Sequence, residues 1–492
     1  MRPTMIRIAI LATLLTSPLA SAPLVAIDLR VSRIDLDVTL DPIAGTLQET
    51  VALVVAGKGA AHLVFAIDEG LSVKTSRASE GIVDHRQAGS ELIVDLDPAL
   101  DTPRTLTFTI GGRPRRGTET EIDPKRAVLA PSSAWYPQLG PTWATTTLTV
   151  RLPAGWSAMA PGTAAKQTAP GVFRFTTERP MRSIAVAAAP GLRIVESSIV
   201  RVPFRLATTT AIAPVAAAAL RLGPAMAWLS GALAPYPFDA FGLVLLPGYS
   251  GRVQASGLMI VGTSIPLSTD ADGADLLAGQ WFGEALGGDG AWIEAFAAWE
   301  ACVFARDRSL PMPGDIARLR AGYFRLRSGD VALGSAPATA PAEVLRGKGS
   351  AGPDMVRLIA GDRAMFDAVR ELFAAPVGPP LSLADVREAI EKHARRPLNR
   401  AFGDWFERAG APEFEPTLRS YPAAGGGFRA EIAVTQERGA YALPVEIVVY
   451  GSGEEHRETI EVAEPVTRVF YVLPFDPKRI EIDPLNRIFR WK

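Results

Sequence analysis

The period of the hydrophobic pattern changes twice along this chain, and that limits what it can fold into. From about residue 27 to 195, apolar and polar side chains alternate. Ile34, Leu36, Val38 and Leu40 interleave with Asp35, Asp37 and Thr39, and the habit returns at 105–110 (TLTFTI) and 147–152 (TLTVRL). Successive strand residues face opposite sides, so this alternation marks half-buried antiparallel strands. Near residue 210 the pattern becomes helical. Residues 211–233 are alanine-rich with Pro214 near their start, and 275–283 and 294–306 read as helices around the turn Gly287-Gly288-Asp289-Gly290. Residues 241–246 form a short apolar run expected to be a strand. Residues 355–373 carry apolar side chains at helical spacing. Ser382 with Asp385 forms a capping-box pattern before a helix to Arg395, and 400–408 reads as a helix closed by Gly410. After Pro412 strand alternation resumes at 428–435, 445–450, 458–462, 469–473 and 480–482. The expected fold class is multidomain α+β: an N-terminal antiparallel β domain (27–195), a mainly α domain (196–411) and a C-terminal β-sandwich (412–492).

Composition narrows the function. With 51 basic and 52 acidic side chains the net charge is -1, which gives no basic surface to displace counterions from a nucleic acid. A single cysteine, Cys302, rules out an intramolecular disulfide. Only four histidines are present, His62, His85, His393 and His456, and they are far apart in sequence. Residues 1–26 read as a signal peptide, with Arg2 and Arg7 before the apolar stretch 8–15 and small residues at Ala20-Ser21-Ala22. Pro18 and Pro23 oppose the alternative of an uncleaved spanning helix. The expectation is export to the bacterial periplasm or the outside, with no stable membrane span after cleavage.

Several segments resemble the M1 family of zinc aminopeptidases, which are gluzincins. Trp135-Tyr136-Pro137 resembles that family's aromatic-Pro element, and Pro235-Tyr236-Pro237-Phe238 its YPF element before the catalytic domain. Gln280-Trp281-Phe282-Gly283 matches the QWFG that follows the second zinc histidine. Trp292-Ile293-Glu294-Ala295-Phe296-Ala297 is similar to WLxEGFA, one residue shorter. Lys348-Gly349 resembles the YxKG element, Asp404-Trp405-Phe406 and Gly410-Ala411-Pro412 the W…GxP end of the helical domain, and Ile482-Asp483-Pro484 the closing strand of the sandwich. The resemblance covers nearly all of the chain after residue 26. It implies a thermolysin-like middle domain.

The same alignment implies that the chemistry has been lost. The family's H-E-x-x-H places two zinc-binding histidines on one helix face, with a glutamate that activates water. Counting back from QWFG, the first histidine position holds Asp275, the general-base position Leu276 and the second histidine position Gly279. Glu294 alone remains of the ligand set. Gly257-Leu258-Met259-Ile260-Val261 matches the GxMEN loop, so Ile260 replaces the glutamate that holds a substrate amine. Arg346 replaces the YxKG tyrosine that stabilises the oxyanion. The resemblance therefore implies a pseudo-peptidase with no zinc.

Three roles follow as expectations. The first is a non-catalytic module that binds or scaffolds a peptide or protein in the inter-domain cleft. Met259, Trp281, Trp292, Trp299 and Tyr323 are candidate lining residues, and Arg346 either meets a ligand carboxylate or is a solvated loop residue. The second is an enzyme with a rebuilt carboxylate site from Asp275 and Glu294, with Glu284 or Glu300 as a further candidate. The third is a structural subunit of an envelope complex, its cleft plugged by Leu276 and Ile260. The run Asp270-Ala271-Asp272-Gly273-Ala274-Asp275 superficially matches a calcium loop, but its twelfth position is Trp281; a polar loop capping the next helix is the plainer expectation. Asp275 and Glu294 either face one another or are neutralised by a helix cap and an arginine.

Overall fold

The structure is a computed structural model that describes residues 29–491, apart from 141, 165–168, 264–266, 289, 338, 376–379 and 452. Residues 1–26, expected to be a signal peptide, and Asp289 of the glycine-rich turn lie outside the described residues. Among those residues, no helix is long and apolar enough to cross a membrane.

The described N-terminal part is built of strands, with one short 3₁₀ turn at Pro131–Ser133. Arg30–Asp41 lies inside a seven-stranded sheet, antiparallel to Thr46–Ala56 and parallel to Thr145–Arg151. The alternation has the expected consequence. Leu36, Val38 and Leu40 are buried, while Asp37 on the other face pairs with Arg151 at 2.7 Å. A four-stranded and a three-stranded sheet complete this part.

The middle part begins with a hairpin, Arg193–Ile199 and Val202–Thr208, so the strand runs across position 195. Val202–Thr208 continues in parallel into Phe241–Leu246, which is parallel to Leu258–Gly262, with Arg252–Ala255 at the far edge. Every residue of Phe241–Leu246 is buried, as parallel strands covered on both faces require. Helices then take over: Asp270–Gly279, Trp292–Asp307, Gly314–Tyr323, Gly352–Ala360, Asp362–Ala374, Leu383–Ala394 and Asn399–Trp405.

Three elements differ from expectation for identifiable reasons. The 211–233 helix is two, Ile212–Ala219 and Leu222–Ala232. The 355–373 helix breaks at Gly361, whose φ of +92° no helix accommodates. The helix expected at 275 starts at Asp270, because Thr269 caps it.

The C-terminal part packs two three-stranded sheets, Glu415–Pro422/Phe428–Thr435/Val466–Leu473 and Glu454–Val462/Leu443–Gly451/Arg479–Ile482. It is held to the helices by buried polar groups. Asp404 accepts from Arg400, Arg408 and the Ala442 amide, and Arg408 lies over the Tyr441 ring at 3.8 Å.

Candidate functional site

The site is organised by how the Asp270–Gly279 helix starts. The Thr269 hydroxyl accepts from the Asp272 amide at 3.1 Å, and the Asp272 carboxylate accepts from the Thr269 amide at 2.9 Å, a complete capping box. The other Asp272 oxygen accepts from the Gly314 amide at 3.1 Å, which ties the start of a second helix to the first. The aspartates at 270 and 272 therefore sit in the first helical turn, where carboxylates are favoured, and do not form a cation loop. Gly273 is needed for close approach: a Cβ there would lie 2.5 Å from the Arg221 carbonyl oxygen.

This helix carries Asp275 into a buried position, 6 % exposed, with Leu276 turned into the main core. Arg252 reaches Asp275 from the adjacent edge strand, donating to its carboxylate at 3.0 Å and to its carbonyl at 2.7 Å. Arg346 donates to the other carboxylate oxygen of Asp275, and its remaining terminal nitrogen reaches Glu294 at 3.3 Å. Burial alone would raise the Asp275 pKa. The charges and hydrogen bonds of Arg346 and Arg252 outweigh it and hold the carboxyl below its ordinary value. Arg346 is likewise disfavoured by burial but held charged by Asp275 and Glu294. Its Nε is buried without a partner.

Arg346 is thus neither a solvated loop residue nor a free anchor for a ligand. It belongs to a helical segment, Glu343–Lys348, wound wide enough for the Gly349 amide to reach the Val344 carbonyl five residues back. The widening turns Arg346 inward, where it takes up the protein's own carboxylates. Asp275 and Glu294 do converge, but on one shared guanidinium, and Asp275 is neutralised by two arginines.

Position 279, which the resemblance aligns with the second histidine, is filled by a neighbouring side chain. A Cβ on Gly279 would lie 2.0 Å from the Gln254 side-chain oxygen, and Gln254 donates to the Gly279 carbonyl at 2.7 Å. Neither Arg252 nor Gln254 belongs to a motif; each is one polar residue in a four-residue strand, with no sequence signal of its role. Gly279→His is expected to lower stability by about 1–3 kcal/mol through overpacking, seen as a lower urea midpoint, with part of the loss recovered by adding Gln254→Ala.

The other expected site residues divide by role. Gln280 accepts from the Gly257 amide at 2.8 Å and donates to Ala255 at 3.0 Å, locking the Gly257 turn to the helix. Glu284 accepts from Ser183 at 2.6 Å and Ser256 at 2.8 Å; burial raises its pKa against these bonds. Met259 and Ile260 are both fully buried on opposite faces of their strand. Ile260 belongs to a separate apolar cluster with Val128, Ala187 and Val253, so Leu276 and Ile260 do not together plug a cleft. Trp292 and Trp299 are core residues and line no cleft. Tyr323 is buried too, and its ring packs at a tilt against Phe489. Trp281 is buried but forms part of the wall of a concavity with Trp143, Leu286 and Phe373. Glu300 is buried in its helix with neither oxygen hydrogen-bonded and belongs to no site.

A concavity of ≈ 480 Å³ in the N-terminal part is lined by Asp68, Arg115, Arg116, Glu119 and Ser132. Glu119 accepts from Ser132 at 2.7 Å. Burial raises its pKa, the Ser132 bond opposes this, and the charge of Glu294 adds to the rise. Glu119, which sequence reasoning missed, therefore shares an electrostatic field with the half-exposed Glu294.

These residues do not fit a zinc ion. Two of the four relevant positions lack a ligand atom, and the two carboxylates are engaged by arginine. Among the described residues, no group of three or more His, Cys, Asp or Glu is placed to hold a metal.

The chain has the fold of the M1 zinc aminopeptidases. It is similar to an M1 zinc metallopeptidase from Deinococcus radiodurans (TM-score 0.61, 20 % identity, 74 % of this chain and 90 % of that one). A mutant of that enzyme bound to a Tyr-Ser-Ala substrate gives TM-score 0.63 at 21 % identity over 77 % of this chain and 95 % of that one. Aminopeptidase A of Legionella pneumophila, in complex with aspartic acid, gives TM-score 0.75 at 15 % identity, covering 92 % of this chain and 58 % of that one. No family model and no curated protein sequence matches.

Proposed function

We propose that this chain is a zinc-free, non-catalytic member of the M1 fold that binds a peptide or a protein segment in the cleft between its N-terminal and helical parts. The observation that carries the reading is the Arg346 guanidinium bridging Asp275 and Glu294. A fixed cation between two ligand-position carboxylates satisfies their charge without a metal, and leaves no open coordination position for water. Leu276 cannot accept a proton, so no base stands beside it. Glu119 and the half-exposed Glu294 leave carboxylate oxygens for a cationic group, such as a peptide's terminal ammonium or a basic side chain. A rebuilt carboxylate enzyme is disfavoured by the same geometry, since Asp275 is not free to take or give a proton.

The test combines three measurements on purified protein: elemental zinc, turnover of aminoacyl reporter substrates, and calorimetric titration with Tyr-Ser-Ala, the peptide held by the Deinococcus mutant. The expected result is no stoichiometric zinc, no turnover, and binding that weakens on Glu119→Gln. Stoichiometric zinc together with turnover sinks the proposal.

A further inference from the structure

A second site stands away from this cleft and does not depend on it. The edge hairpin Arg193–Ile199/Val202–Thr208 meets the strands Thr163–Ala164 and Val172–Thr176 around a concavity of ≈ 370 Å³. Its lining joins the apolar side chains of Ala158, Phe173, Phe175 and Ile194 with the charged residues Arg174 and Glu196. In its lining lies Arg205, only 7 % exposed. One terminal nitrogen, Nη2, donates to the carbonyls of Ala160, at 2.9 Å, and Gly162. The guanidinium also lies over the Phe175 ring at 5.6 Å. Nε is buried without a partner, and among the described residues no carboxylate comes within ion-pair distance of Arg205. Glu196, its direct cross-strand neighbour in register, is exposed and also lines the concavity; it forms no ion pair with Arg205 but attracts it at longer range.

A buried arginine is normally paired, because an unpaired charge taken out of water is costly. Here carbonyls, an aromatic face and the more distant charge of Glu196 offset part of that cost, and no carboxylate is paired with the guanidinium directly. Phe173, Phe175 and Ile194 stand in the lining with the guanidinium, alongside Arg174 and Glu196, and the adjoining strand is the outer edge of its sheet, exposed along most of its length. We infer that this pocket is a binding site for a carboxylate attached to an apolar body, with Arg205 pairing the carboxylate and Phe173, Phe175 and Ile194 enclosing the body. A free apolar carboxylic acid and the C-terminus of a peptide ending in an apolar residue share this chemistry. In the second case the peptide backbone would lie along the Arg193–Ile199 edge, where main-chain groups are open to pairing.

The experiment is calorimetric titration of the full chain with 3-phenylpropionate, N-acetylphenylalanine, N-acetylphenylalanine amide and inorganic phosphate. Both carboxylates are expected to bind saturably, and the amide at least about tenfold more weakly, as loss of a charge-assisted hydrogen bond to a buried cation implies. Tighter binding of N-acetylphenylalanine than of phenylpropionate assigns the peptide terminus; the reverse assigns the free acid. Arg205→Met is expected to abolish binding. Because that change can unsettle the fold, Ile194→Trp, which keeps Arg205 and fills the mouth from a half-exposed position, is the second variant and is expected to lose binding too. Equal binding of amide and carboxylate, phosphate binding as tightly as either carboxylate, unchanged affinity in Ile194→Trp, or no saturable binding would each overturn the inference.

Discussion

Replacing Arg346 by methionine is expected to destabilise the protein by about 3 kcal/mol, because it leaves buried Asp275 with one arginine where it had two and strips Glu294 of its partner. The figure sits at the low end for breaking a buried pair, since Arg252 still donates to Asp275. The readout is the urea midpoint followed by tryptophan fluorescence, which reports on this region through Trp281, Trp292 and Trp299. Adding Asp275→Leu to Arg346→Met is expected to restore most of the loss, because an apolar pair of similar volume removes the uncompensated charge. The sign of the pH dependence follows from the depressed Asp275 pKa. Its stabilisation is present above the ordinary carboxyl range and is lost as pH falls through the lower folded value. The double variant is expected to lack this component of acid sensitivity. An unchanged midpoint for Arg346→Met would mean that the guanidinium bridge does not hold the site together.

Glu300 is expected to give an effect of similar size and opposite sign. It is fully buried in the Trp292–Asp307 helix, and neither carboxylate oxygen has a partner. Burial, with a smaller push from Asp307 and opposed by Arg306 and Arg370, raises its pKa to about 8, so at neutral pH the folded protein holds it protonated. The unfolded chain releases that proton near the ordinary glutamate value. Stability from this group is therefore full below about pH 4.5 and is lost as pH rises through about 8, a change on the order of 3 kcal/mol between pH 5 and pH 8. Glu300→Leu is expected to abolish this decline and to be the more stable protein at pH 8, measured by urea unfolding at several pH values. Parallel pH profiles for the two proteins would show that Glu300 is not protonated in the folded state.

What could be read before the structure depended on local physics. The Ser382/Asp385 capping box was legible and is present with both hydrogen bonds, because a cap involves residues only three apart. The strand 428–435 was legible to the residue from its alternation. The Thr269 cap is the same device, yet it was masked by the aspartates after it, which look equally suited to a loop. The Gly361 break was hidden because apolar spacing continues across it; only the backbone angle reveals it. At the candidate site, the resemblance places Asp275 and Gly279 at the family's histidine positions and Leu276 at its general-base position, whereas the groups packed around them were not legible.

By itself the sequence determined that this chain builds strands, then helices, then strands, and that Asp275, Leu276 and Gly279 precede the Gln280-Trp281-Phe282-Gly283 run that resembles a zinc-peptidase motif. Both are statements about residue identity and near-neighbour periodicity, which need no knowledge of distant contacts. Only the tertiary structure decided that Arg346, 71 residues beyond Asp275, closes the gap between Asp275 and Glu294, and that Gln254 fills the space beside Gly279. It also decided that Arg205 lies buried with its Nε unpartnered and, among the described residues, without an ion pair. Charge pairing and steric filling act over a few ångströms in space between residues far apart along the chain, so a linear pattern carries no trace of them.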